Sequence, residues 1–151
     1  MARQILCDTE RRLGLERKTL DWDISAKSAG IWEYRASYPE LIRTLTAFNL
    51  EGALCAVVGA DDFGWENASA QGLNLESCLY VPSSYADAQI LSLLIPHCRV
   101  IYVEKCALTC SDMRRLGAQV RMEKVVLLSS YSWVGISRIW ERDQSFARKA
   151  G

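Results

Sequence analysis

The chain has 151 residues, half of them hydrophobic and 24% charged, a composition that suits one folded domain with a sizeable core. Eighteen basic and eighteen acidic residues cancel. No global basic excess therefore argues for nucleic-acid binding, and a net charge near zero favours association with a partner or a second copy.

Residues 1–24 read as an N-terminal arm, with a weakly amphipathic helix over 2–17 and Trp22 set between two aspartates. Residues 30–34 form a first strand, rich in β-branched and aromatic side chains. Pro39 suits the first helical position, and Leu41, Ile42, Leu45 and Phe48 repeat at helical spacing behind it. The apolar run 53–58 is the pattern of a strand buried on both faces. A loop carrying Asp61 and Asp62 follows, then a short helix through Ala68 and Ala70 stopped by Gly72.

Residues 78–81 are the next strand, closed by Pro82. The spacing of Ser84 and Asp87 resembles a capping box and predicts a helix carrying Ala88, Leu91 and Leu94. Residues 99–104 form a strand, Thr109 to Asp112 opens a helix, and 125–128 is a fifth apolar strand. The alternation over 133–140 predicts an outer antiparallel strand or hairpin, and 144–151 reads as a tail. This order predicts an α/β fold: a mostly parallel sheet with helices on both faces and right-handed crossovers.

No apolar run approaches the roughly 20 residues that span a bilayer, and the charged N-terminus lacks the apolar core of a signal peptide. The expectation is a cytoplasmic protein with no membrane partner. The six cysteines include no CxxC pair. Cys98, Cys106 and Cys110 with His97 match no common zinc spacing, so they read as thiols. His97 is the one histidine, and no Gly-x-Ser-x-Gly elbow accompanies it, so it reads as structural.

The strings from Leu54 to Val58, Asp61-Asp62, Gly72 to Pro82 and Val100 to Glu104 resemble the core of a RecA-type ATPase. The resemblance spans roughly residues 28–130 and implies a three-layer RecA-like core over 25–143. It places Glu104 at the Walker B acidic position and Asp61 near the catalytic carboxylate. A phosphate loop should follow the first strand, yet residues 35–46 contain neither glycine nor lysine. No backbone can then wrap the phosphates, and no ammonium can reach them. Asp61 and Glu104 thus stand as vestigial positions, with no catalytic residue, cofactor or metal implied.

The run from Ala56 to Gly64, with Gly72 to Pro82 behind it, resembles the actinobacterial ImuA-type proteins. These accompany an inactive Y-family polymerase homologue in damage-induced mutagenesis. The cell-division inhibitor SulA is a second degenerate RecA relative of this size. The resemblance implies a non-catalytic adaptor in translesion synthesis, with that polymerase homologue or RecA as partner. The alternatives are a SulA-like inhibitor of bacterial cell division and an atypical nucleotide binder.

Five tryptophans exceed what a core of this size requires, and Trp and Arg are enriched at interface centres. Trp22, Trp65, Trp133 and Trp140 are candidate partner contacts. So are Arg114 and Arg115 in one basic cluster, with Arg121 and Lys124, and Arg138 and Arg142 in another. Basic groups among aromatics also suit single-stranded DNA, although a solvated face with Glu123, Glu141 and Asp143 as local counter-charges is the favoured reading of these clusters. A homo-oligomer is also compatible with this surface.

Overall fold

The computed structural model describes residues 29–50 and 52–140. The expected arm, with Trp22 and the helix over 2–17, lies outside the described residues, as do Cys7, Arg142 and the tail.

Six strands form one sheet in the order β3-β2-β4-β5-β1-β6: β1 Gly30–Glu33, β2 Cys55–Val58, β3 Cys78–Val81, β4 Val100–Val103, β5 Val126–Ser129 and β6 Arg138–Ile139. Every pairing is parallel. The helices are α1 Tyr38–Asn49, α2 Trp65–Ala70, α3 Ala88–Leu94 and α4 Cys110–Glu123. Strands β2, β4 and β5 are buried at all four positions, because helices cover both faces of the sheet. Alternation then sends successive side chains into two different cores. Val57, Tyr102 and Leu128 meet Leu41, Leu45 and Phe48 of α1 on one face. Ala56, Ile101 and Leu127 meet Leu91 of α3 and Leu116 and Val120 of α4 on the other. Each fully buried aliphatic side chain here contributes about 1.5–3 kcal/mol.

Local chemistry sets the helix ends. The Ser37 side chain accepts from the Glu40 N–H, and Pro39 lies in the first turn of α1. A capping box opens α4: Thr109 Oγ1 accepts from the Asp112 N–H at 3.0 Å, and Asp112 Oδ2 accepts from the Thr109 N–H at 3.0 Å.

Two sequence expectations are corrected. Ser84 does not cap α3. Residues Ser83–Tyr85 form a 3-10 turn, closed by the Tyr85 N–H on the Pro82 carbonyl at 3.0 Å, and Asp87 caps the helix through the Ile90 N–H at 2.9 Å. The carboxylate adjacent to the helix outcompetes a serine three residues upstream. The expected C-terminal antiparallel strand or hairpin is also absent, because β6 pairs parallel to β1 through Trp32↔Arg138 and Glu33↔Ile139. Between β5 and β6 the chain crosses the second face, where it buries Trp133 completely and seats Ile136 against α4. A Cβ on Gly117 would stand 3.2 Å from the Ile136 methyl, so a side chain at this helix position would require Ile136 to shift by a few tenths of an ångström. A chain that returns over a face re-enters the sheet in the same direction, which makes the last strand parallel.

Candidate functional site

In a parallel α/β sheet the place to look is beyond the carboxyl ends of the strands. Here those ends carry a continuous belt of aromatic rings that joins the two acidic positions. Glu104 follows β4, and its N–H donates to the Val58 carbonyl at 2.9 Å. Its Oε1 accepts from the Tyr38 hydroxyl at 2.7 Å and from the Tyr102 hydroxyl at 2.9 Å. Tyr38 opens α1 and meets Phe63 edge-on at 5.7 Å. Phe63 meets Trp65 at 4.7 Å, and Trp65 meets Tyr80 edge-on at 5.6 Å. The Tyr80 hydroxyl ends the belt by donating to Asp61 Oδ1 at 2.9 Å. Asp61 also accepts from the Ser83 N–H at 3.0 Å and from the Ser83 hydroxyl.

The electrostatics agree with these bonds. Burial, then the bond to the Glu104 carboxylate and its charge, holds the Tyr38 and Tyr102 phenols well above their ordinary range. The Ser83 hydroxyl and N–H, the Tyr80 hydroxyl and the Lys105 charge hold the Asp61 carboxyl below its usual range.

The connection after β1, where the resemblance to RecA-type cores expects a phosphate loop, is short. Strand β1 reaches α1 through residues 34–37 alone, with Arg35 ion-paired to Glu33. The first turn of α1 is capped by Ser37 and contains Glu40. A carboxylate there opposes the positive end of the helix dipole, where a phosphate would otherwise bind. Sequence reasoning located Asp61 and Glu104 at strand ends but missed Tyr38, Tyr102, Phe63 and Ser83, which engage or surround them. The available signal was Tyr38 beside a helix-opening proline. Its partner lies 66 positions away, a separation that no local pattern reveals.

The other candidates scatter. Trp65 is half-buried inside the belt. Trp133 is fully buried, with its indole N–H on Ser129 Oγ at 3.1 Å, so it is a core residue with no surface to offer a partner. Trp140 packs edge-on against Trp32 at 5.2 Å, and the Arg138 guanidinium lies 5.5 Å from the Trp32 ring centre. Arg114 and Arg115 are exposed on α4, which packs on the opposite face of the sheet from the Trp32 cluster. Cys98 is buried beneath α3, whereas Cys110 is exposed at the start of α4. Among the described residues no three His, Cys, Asp or Glu side chains converge on a metal position. No described helix is long and apolar enough to cross a membrane.

No curated protein matches this sequence. Among solved structures, the crystal structure of SulA from Pseudomonas aeruginosa is similar in fold. The TM-score is 0.51 at 12% identity, over 71% of this chain and 94% of that one. The likeness is one of architecture, a SulA-like α/β fold. The model of the MT3502 N-terminal domain matches residues 25–135, and the chain belongs to that family.

Proposed function

We propose that this protein is a non-catalytic, RecA-like adaptor that acts by protein–protein contact in the response to DNA damage. Its place is in the assembly of a translesion-synthesis complex around a Y-family polymerase homologue. The observation that carries the reading is Tyr38. Its hydroxyl occupies the Glu104 carboxylate at 2.7 Å, and its ring stands at the mouth of the short β1–α1 connection where an ATPase would hold phosphate. A carboxylate that accepts two phenols is committed to the fold rather than free to orient a metal or water.

Two experiments test this. Titration calorimetry with Mg-ATP should give no binding heat; micromolar affinity would overturn the non-catalytic reading. Co-expression with the polymerase homologue should yield a complex that survives gel filtration, and separate elution of the two proteins would count against the partner. A second reading, an inhibitor of bacterial cell division, is favoured by the fold likeness to SulA. Overexpression that leaves cell length unchanged would remove it.

A further inference from the structure

The two edges of the sheet are built differently. At one, β6 is two residues long and carries the charged Arg138. At the other, β3 runs Cys-Leu-Tyr-Val in unbroken register with β2. It lacks the charge, proline or bulge that usually keeps an edge strand from pairing. Its outer backbone is open. The Gly59 N–H donates to the Val81 carbonyl at 2.7 Å, so Val81 turns its backbone groups toward β2. By alternation Leu79 does the same, and Cys78 and Tyr80 turn theirs outward. The Cys78 N–H is taken by the Leu75 carbonyl. The Cys78 carbonyl and both Tyr80 backbone groups take no partner among the described residues.

Nine large apolar side chains are exposed among the described residues. Four of them, Leu75, Leu79, Tyr80 and Tyr85, fall on β3 or on the single turns that flank it. That concentration makes a patch rather than scattered exposure. No charged residue occurs from 77 to 86, so two such edges can approach without repulsion.

We propose that β3 pairs with β3 of a second copy of this chain, antiparallel about a two-fold axis at Leu79, joining two six-stranded sheets into one. The inference is independent of the adaptor reading. The edge is self-complementary in this arrangement. Each Tyr80 N–H meets the Cys78 carbonyl of the other copy. The two Leu79 side chains lie opposite one another as a non-hydrogen-bonded pair. A register centred on Tyr80 would leave the Cys78 carbonyl opposite Pro82, which has no N–H. The turn that holds Leu75 comes beside the other copy's turn that holds Tyr85, and the two Asp61 carboxylates fall at opposite ends of the ladder. A lone strand from another protein would cover β3 and leave both flanking turns open.

The test uses the whole 151-residue chain. Sedimentation velocity over about 1–200 µM, a span that brackets a micromolar Kd, should show the 17.0 kDa species give way to twice that mass. Leu79→Lys alone and Leu79→Glu alone should each raise Kd by about tenfold or more, because like charges meet on the axis. An equimolar mixture of the two should dimerise again, which requires residue 79 to face residue 79. On a Cys78→Ser background, Leu79→Cys should give a disulfide-linked dimer under diamide. The opposed Cα atoms of such a pair are about 4.5 Å apart, within disulfide reach.

A chain that stays monomeric throughout would overturn the proposal, whether residues 1–28 or another protein's strand then covers the edge. A dimer unmoved by Leu79→Lys would do the same, as would a mixture that remains monomeric while both variants keep the wild-type melting temperature. Should a charged variant fail to fold, the cysteine variant decides. No crosslink at a concentration where the wild type dimerises would sink the pairing at Leu79.

Discussion

At the scale of single residues, the carboxylates beyond the strand ends act as acceptors that organise the fold. Glu104 gathers two tyrosines from different parts of the chain. Tyr38→Phe should therefore destabilise the protein by about 1 kcal/mol, a typical net value for one hydrogen bond with a second donor remaining. Urea denaturation measures it. A double cycle with Tyr102→Phe should be non-additive because both hydroxyls share Oε1, and strict additivity would contradict the shared-acceptor geometry. Asp61 and Asp112 make a pH prediction. Both carboxyls are held below their ordinary range, Asp61 chiefly by the Ser83 hydroxyl and Asp112 chiefly by the Thr109 N–H. A depressed folded-state value means that the stabilisation is complete above the unfolded value of about 3.9. It is lost as pH falls through the folded value. The melting temperature should thus drop less steeply below pH of about 4 in the Asp61→Asn, Asp112→Asn double variant than in the wild type. Superimposable acid limbs would refute this account.

At the scale of elements, most of the secondary structure was legible in the sequence. The apolar runs at 53–58, 99–104 and 125–128 announced buried parallel strands, since a strand covered on both faces cannot alternate. The four-residue spacing of Leu41 and Leu45 marked α1, and Thr109 with Asp112 marked the start of α4. That capping box makes Thr109→Ala a direct probe. It should cost about 1 kcal/mol, visible as a lower urea midpoint with an unchanged slope; a neutral result would mean that α4 is held by packing alone. The misreadings share one cause. The Ser84 cap and the outer hairpin were both inferred from spacing within a few residues. The first is decided by competition with Asp87, the second by the burial of Trp133 and the packing of partly buried Ile136 against α4. Alternation over 133–140 was real as a pattern but covered the end of a crossover and the short parallel strand β6 rather than an antiparallel hairpin.

At the scale of the whole molecule, the sheet depends on a few backbone approaches. Gly59 follows β2 with a positive φ of 74°, and its N–H donates to the Val81 carbonyl at 2.7 Å. A Cβ there would collide with the backbone of Lys105, just past β4. Gly59→Ala should therefore cost about 3 kcal/mol or more, since neither the left-handed conformation nor the backbone of a central strand yields cheaply. Soluble expression with a wild-type melting temperature would show that the β2–β4 junction tolerates separation.

Sequence alone determined the α/β class, the parallel sheet, and the lack of glycine and lysine where phosphate would bind. These properties lie in local composition and periodicity, which a linear reading captures. Only the tertiary structure decided the strand order, the parallel direction of β6 and the core position of Trp133. It alone showed that Tyr38 and Tyr102 close on Glu104. Those features depend on residues brought together across tens of positions, where packing selects the partners and no short-range rule applies.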